Sequence, residues 1–140
     1  MAFTAAFGTL LKKETAPGSG TYTTIAQIGH DITGPGQKSD TIDTTTHNQL
    51  SPYKSFIAGL REGGDVKFPL YFDPNDATHS DLVATFEAGV PVNWQLAPPF
   101  VPAVAWSFAA IVLDIGHHYK IKDAVMADIT LKVSGRPVLA

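Results

Sequence analysis

The residues whose types best suit catalysis are three consecutive ones, His79, Ser80 and Asp81, which match the members of a hydrolase triad. The surrounding pattern predicts a helix, and neighbouring side chains on a helix point about 100° apart, so these three cannot form a proton relay. The chain also lacks the G-x-S-x-G motif of a nucleophile. We therefore interpret the run as a polar surface cluster where a helix starts.

The five histidines are the next candidates, as metal ligands. His117 and His118 are adjacent, and adjacent side chains on a strand face opposite sides, so the pair is poorly placed to chelate one ion. His30, His47 and His79 are scattered, cysteine is absent, and neither an H-E-x-x-H motif nor a calcium loop is present. The sequence predicts no metal and no cofactor.

Carboxylates and glycine-rich turns are the remaining features that could belong to an enzyme active site. Glu62, Asp65 and Asp73 could in principle pair for glycoside hydrolysis, but the sequence shows neither their separation nor an aromatic platform for a sugar. The stretches "GSG" and "GPGQK" match no phosphate-binding pattern and are typical of turns. We predict that the chain is not an enzyme.

The amino-acid composition further restricts the class of protein to which the chain can belong. A chain of 140 residues with 44% hydrophobic content is typical of one ordered domain. A net charge of −3 without a basic block argues against stable nucleic-acid binding. No run approaches the roughly 18 apolar residues of a membrane span, and the first residues lack the charge order of a secretory signal. We expect a protein that is made inside the cell and has no membrane segment.

Alternation of apolar residues predicts most of the strands. Residues 65–72 alternate, and Pro69 marks an edge strand because proline cannot donate to a ladder. Residues 105–115 are apolar on both sides, as in a central strand covered on both faces. Residues 125–133 alternate, with Val125 and every second residue after it facing inward. These strands predict a mainly β fold, an antiparallel sandwich or barrel-like structure.

One short helix is predicted on one face of this sheet. Asp76 is a suitable N-cap and Gly89 a suitable C-terminal stop. The residues expected to face the sheet are His79, Leu82, Val83 and Phe86. The predicted core consists of Phe68, Leu82, Phe86, Ile129 and Leu131. Residues 52–60 are interpreted as a turn or a short helical piece.

The segment from Gln37 to Tyr53 has no apolar face, although its β-branched threonines favour an extended chain. It buries little surface of its own, so ordering it costs about 1–2 kcal/mol per residue without compensation from its own domain. We predict a long loop or hairpin that is mobile in the free subunit and becomes ordered on assembly.

Several motifs, in this order, resemble the tail tube proteins of long-tailed bacteriophages, in particular the tube domain of lambda-type major tail proteins. They are "DTIDTTTH" from Asp40, "FIAGLREGG" from Phe56, "YFDP" from Tyr71, a helix, and "VSGRP" from Val133. The resemblance covers nearly the whole chain. It implies a mainly β tail-tube fold whose subunits form hexameric rings that stack into a tube.

The resemblance also implies partners and a location. The tube would enclose a tape measure protein, contact tail terminator and tail-tip proteins, and conduct DNA without binding it specifically. The protein would be part of the virion and made in the host cytoplasm. We expect residues 1–140 to form one tube domain without the C-terminal immunoglobulin-like domain of some relatives.

Candidate site residues follow from the resemblance and lie in the threonine-rich segment. Asp40 and Asp43 are candidates for the lumen, an ordinary solvated strand being the alternative. The candidate contacts between subunits or rings are Lys38, Thr41, Thr44, Thr46, His47 and Tyr53.

Three other functions stay open at this point. A tail terminator or a secretion-system tube subunit would share the fold. A monomeric β-sandwich binding module would expose aromatic residues on one face, for which Tyr53, Tyr71 and Trp94 are candidates. A hydrolase would need a buried cluster with shifted pKa values, which the sequence does not reveal.

Overall fold

The computed structural model describes residues 4–16, 18–29 and 31–140. His30 and Pro17, which belongs to a predicted turn, lie outside the described residues. The structure is mainly β with one helix, as predicted. The strands are β1 (Leu10–Glu14), β2 (Tyr22–Thr24), β3 (Lys38–Asp43), β4 (Phe56–Glu62), β5 (Asp65–Tyr71), β6 (Val92–Ala97), β7 (Trp106–His118) and β8 (Met126–Leu139), and helix α1 (Ala77–Ala88) lies between β5 and β6.

Six of the strands form one antiparallel sheet in the order β2-β1-β6-β7-β8-β5, while β3 and β4 form a separate two-stranded sheet. Strand β7 is interior, as its apolar sequence predicts. Its predicted burial on both faces is wrong for the single subunit. Phe108, Ala110 and Val112 are buried, whereas Ala109 and Ile111 are half-buried and Leu113 is exposed. One face of the large sheet therefore carries the core.

The core follows from the alternation of side chains across this sheet, whose covered face packs around Trp94 and beneath α1. Phe68, Leu82, Ile129 and Leu131 are all buried, as expected. Val125, predicted to face inward, precedes β8 and is exposed. Alternation begins one residue later, where pairing with β5 and β7 begins.

The helix begins and ends at the predicted residues. The Asp76 carboxylate accepts hydrogen bonds from the Thr78 N–H at 2.9 Å and from the Thr78 hydroxyl at 2.6 Å. Gly89 adopts the left-handed conformation and donates its N–H to the Thr85 carbonyl. Both ends are thus set by local hydrogen bonds that the sequence reveals.

The face that α1 buries agrees with the predicted one at His79 and Leu82 but not at Phe86. Its buried residues are His79, Leu82 and Thr85, and Phe86 is 43% exposed, so the prediction that Phe86 belongs to the core is wrong. Residues 85 and 86 lie about 60° and 40° to either side of Leu82 around the helix. The rotation of the helix decides which of them is buried, and the apolar pattern alone does not fix that rotation.

His79 provides the contacts that fix the rotation. Its Nδ1 accepts a hydrogen bond from the Asp73 N–H at 2.9 Å, so Nε2 carries the proton and donates to the Ala26 carbonyl at 2.7 Å. The ring is fully buried and stacks on Phe72. The interpretation of residues 79–81 as a surface cluster is therefore wrong for His79, which joins α1 to two loops.

Residues 52–60 do not form a turn or a helical piece throughout. Strand β4 begins at Phe56 and pairs with β3. The apolar run "FIAGL" is too short for its periodicity to separate helix from strand. Pairing with the β-branched residues of β3 stabilises the extended conformation of this run.

The buried face of α1 can be tested with two substitutions in the same helix. Leu82→Ala should lower the free energy of unfolding by about 2–5 kcal/mol, because it leaves a cavity in the core. Phe86→Ala should cost less, about 1–2 kcal/mol, because this residue is 43% exposed and only partly covered. Denaturant titration of both variants measures the difference. Equal costs would mean that α1 turns Phe86 toward the sheet.

The N-cap gives a prediction about pH. The hydrogen bonds from the Thr78 side chain and N–H hold the pKa of the Asp76 carboxyl below its usual value. Such a group stabilises the fold above its unfolded pKa of about 3.9, and this contribution is lost as the pH falls through the lower folded value. Asp76→Asn keeps a capping side chain but removes the charge.

We therefore expect the stability difference between the wild type and Asp76→Asn to be steady from about pH 7 to pH 5 and to shrink below about pH 4. Urea unfolding at a series of pH values measures it. A difference that grows on acidification would contradict this role of the carboxylate.

Candidate assembly surface

Strands β3 and β4, with the loop of residues 44–55 between them, form a hairpin that we call the arm (residues 38–62). The arm is not part of the six-stranded sheet. All β3 residues are exposed, and in β4 all but Gly59 are. An isolated two-stranded hairpin is at best marginally stable in water. Contacts with another chain would therefore stabilise the arm.

The register of the arm defines its two faces. Ile42 lies opposite Ile57 and Asp43 lies opposite Phe56. The register shifts between Ser39 and Thr41, so that two β4 residues, Gly59 and Leu60, lie opposite the single residue Asp40. Because opposed residues share a face, one face carries Lys38, Asp40, Ile42, Ile57, Leu60 and Glu62. The other face carries Ser39, Thr41, Asp43, Phe56, Ala58 and Arg61.

We call the first the isoleucine face and the second the mixed face. Ile42, Ile57 and Leu60 are 51%, 55% and 84% exposed. None of these three is among the predicted interface residues, because the sequence favours a turn or a short helical piece over residues 52–60. The signal that could have found them was the short apolar run "FIAGL", which is followed after two charged residues by a double glycine.

Close backbone packing holds the base of the arm. A Cβ atom on Gly64 would lie 2.1 Å from the Gly36 carbonyl oxygen, and one on Gly34 would lie 2.3 Å from the Asp65 carbonyl oxygen. Gly34 and Gly64 also have positive φ angles of 116° and 72°. Only glycine fits both the space and the conformation. The chain entering the arm is thereby held against the chain leaving it.

The predicted site residues all lie on the arm, but not on one surface. Lys38, Asp40, Thr41 and Asp43 belong to β3, and Thr44, Thr46, His47 and Tyr53 belong to the loop. Every one of them is exposed. Asp40 and Asp43 lie on opposite faces of the arm, so they cannot line a single surface side by side.

Asp43 also has a local structural role. Its carboxylate accepts a hydrogen bond from the Thr45 N–H at 2.9 Å, and hydrogen bonds from the Thr45 side chain and N–H lower its pKa. The Thr44 N–H and the Ser55 carbonyl then join the two ends of the loop at 2.8 Å. The Gln49 side chain bonds Ser55 and the carbonyl of Tyr53 across the loop. The loop is therefore organised by its own polar groups.

A groove of about 800 Å³ lies where the arm meets the end of β8. Lys38, Arg61 and Arg136 line it, and the part of the chain that the structure describes offers none of the three an ion-pair partner. Glu62, the acidic residue of the lining, lies 3.6 Å from Lys132. The base of the arm is therefore locally positive.

The two edges of the large sheet differ from each other. Strand β5 lies at one edge, as Pro69 predicts, and residues 27–29 and 31–33 cover it. The Pro69 carbonyl accepts a hydrogen bond from Gly29, and Lys67 exchanges two with Thr33, all at 2.8 Å. At the other edge β2 has three residues, which pair with β1.

The residues considered for catalysis or metal binding lie apart from one another or in structural contacts. Ser80 donates to the Pro74 carbonyl, and Asp81 accepts from the buried Lys13 at 2.8 Å, so these two and His79 face different partners. Histidine, aspartate and glutamate side chains do not gather into a group of three that could hold a metal ion anywhere in the described ranges. Within the same ranges, α1 is far too short and polar to cross a membrane.

His117 and His118 have separate contacts. His117 lies edge-on to Phe72 and stacks with Tyr119, while His118 lies 2.6 Å from the Asp128 carboxylate. They face different neighbours, as adjacent strand residues should. A sheet body that carries an exposed arm on a close-packed base is typical of a subunit that assembles with other chains.

The comparison of sequences identifies the family. The sequence model described as "Lambda phage tail tube protein, TTP" matches residues 9–140, and the chain belongs to this family. A curated relative, structural protein 3 of Pseudomonas phage PAJU2, is 32% identical over 76 residues. That match covers 54% of this chain and 40% of the relative's length.

Solved structures share the fold. A chain from the tail of an empty gene transfer agent particle, refined with C6 symmetry, matches with a TM-score of 0.75 at 18% identity, over 94% of this chain and 95% of that chain. The SPP1 tail tube protein matches with a TM-score of 0.70 at 12% identity, over 94% of this chain and 75% of that chain. The resemblance found in the sequence is confirmed: this is a structural phage tail tube protein and a component of the virion.

The close packing at the base of the arm predicts different costs for two glycine substitutions. Gly64 and Gly89 have nearly the same φ, 72° and 67°, but a Cβ on Gly89 meets nothing within 4 Å. Both alanine variants should incur the cost of a left-handed residue, about 1–2 kcal/mol. Gly64→Ala must also push apart the two chain segments at the base, so it should destabilise the protein considerably more.

Denaturant unfolding of the two variants measures this difference. Equal losses of stability would mean that the base of the arm yields easily, and that the close approach of Gly64 to Gly36 does not hold it.

Proposed function

We propose that this chain polymerises as hexameric rings that stack into the tube of a phage tail. The observation that carries the proposal is the arm: 25 residues long by its bounds, exposed on both faces and held at its base by close backbone packing. Family membership supports the proposal, and the C6 symmetry of the matched gene transfer agent tail agrees with sixfold rings. A heterologous contact that closes after six copies would give such a ring.

The arm is the assembly element in this proposal. Residues 37–53 are mobile in the free subunit and become ordered when the arm lies against a neighbouring copy. The exposure of both arm strands supports this, because the free hairpin gains little burial from its own domain. Residues 1–140 act as one tube domain.

The tube encloses a tape measure protein and meets terminator and tail-tip proteins at its ends. It then conducts DNA without binding it, and it has no enzymatic activity. The net charge of −3 supports passage of DNA, because each cationic contact with a phosphate would add retention that depends on salt. Since Asp40 and Asp43 lie on opposite faces of the arm, at most one of these two lumen candidates faces the DNA from there. The protein is made in the host cytoplasm.

Negative-stain microscopy of the purified protein tests the proposal directly. Tubes or stacked rings with sixfold symmetry are the expected result. Single rings that never stack would favour a terminator. A protein that stays monomeric at high concentration, by light scattering and by microscopy, would overturn the proposal.

Shortening the arm tests its role. Replacing residues 43–51 by a short turn should leave a folded monomer that no longer polymerises, because the body keeps its own core. In the full chain, hydrogen exchange at amides 37–53 should be fast in the monomer and slow in the tube. Amides that are already protected in a verified monomer would contradict ordering on assembly.

A further inference from the structure

We infer that the isoleucine face of the arm, and not its threonine-bearing mixed face, is the surface that docks on a second copy of this chain. The inference rests on the proposed function, since it names the contact through which the proposed tube assembles. It replaces the predicted interface of threonines with a surface built by Ile42, Ile57 and Leu60.

The apolar side chains of the isoleucine face lie together. Ile42 and Ile57 are directly opposed across the two strands, and the bulge sets Leu60 beside them on the same face. All three are more than half exposed. A contiguous exposed apolar patch on an otherwise polar hairpin is the feature expected of an interaction site.

Charged residues border this patch on the same face. Lys38 lies opposite Glu62, and Asp40 faces the bulge. An apolar centre with a charged, solvent-accessible border is the usual arrangement of a protein–protein contact. The mixed face lacks such a centre, because Phe56 lies opposite the Asp43 carboxylate and shares its face with Arg61.

The charges of the arm favour a second copy as the occupant. Lys38, Lys54 and Arg61 balance Asp40, Asp43 and Glu62, so the arm carries no net charge. A nucleic acid or an anionic lipid surface would require a basic excess. A copy of the same mildly acidic chain requires none, and in a closed ring each copy offers one arm and accepts another.

The test compares two adjacent residues that are equally exposed and lie on opposite faces. Ile57 is 55% exposed on the isoleucine face, and Phe56 is 54% exposed on the mixed face. Threonine at either position preserves the strand preference. Ile57→Thr should raise the protein concentration needed for tube formation at least about tenfold, whereas Phe56→Thr should change it by less than about twofold. Sedimentation and microscopy over a concentration series measure both.

The folding of each variant is checked by its melting temperature as a dilute monomer, which should match that of the wild type. A second measurement reports directly whether each position becomes buried on assembly. The chain has no cysteine, so Ile57→Cys and Phe56→Cys each accept a single polarity-sensitive fluorophore. On assembly with excess wild type, the label at position 57 should shift to the blue and the label at position 56 should not.

The outcomes separate this inference from the proposed function. If the wild type forms no tubes, the proposed function fails and the docking contact fails with it. If the wild type forms tubes and Ile57→Thr forms them equally well, or if Phe56→Thr is the more harmful change, the proposed function stands and this assignment of the face is overturned. A label that reports burial at position 56 and not at position 57 would overturn it as well.

Discussion

A large sheet has two faces, and the described part of this chain has one helix with which to cover them. The constraint places the core on the face beneath α1, around Trp94, and leaves Leu113 on the other side in contact with solvent. The described residues place no layer on either face of the arm. Much of the surface that a self-contained domain would bury is therefore left to neighbouring molecules, as a tube subunit requires.

The helix is positioned by polar contacts rather than by an apolar stripe. His79 uses both ring nitrogens, and the buried Lys13 reaches Asp81 from the sheet. Hydrogen bonds depend on direction more strongly than apolar contacts do, so they select one rotation where the side chains of Thr85 and Phe86 leave two. Residues whose types suggested catalysis thus have a structural role here.

Features that depend on local chemistry could be predicted from the sequence. Asp76 and Gly89 set the ends of α1, Pro69 marks an edge strand, and residues 127–133 alternate as a half-buried strand should. Features that depend on distant partners could not. The hydrogen bond between His79 and the Ala26 carbonyl joins residues 53 apart in the chain, which no local pattern reveals, and the exposure of Phe86 follows from it. The order of motifs identified the family although their individual sequences are unspecific.

The strand in the candidate segment could be predicted from the sequence, but the faces of the hairpin it forms could not. The threonine-rich segment is one strand of the arm, as its β-branched residues suggest. A hairpin has faces only once its register is known, and the bulge at Gly59 and Leu60 reverses the sides that a simple count along β4 would assign. The pairing of Ile42 with Ile57 is therefore a property of the folded arm that the sequence alone does not reveal.

The unequal edges of the large sheet have a consequence for how copies can grow into a polymer. An amyloid fibre grows when identical bare edges pair without limit, each chain serving as a template for the next. Here residues 27–29 and 31–33 lie along the β5 edge, Pro69 cannot donate there, and β2 offers three residues at the other edge. Neither edge of the large sheet is a long bare strand in the described residues, so open-ended pairing of sheet edges is disfavoured. In a tail tube protein this arrangement lowers the risk of disordered aggregation through the sheet edges.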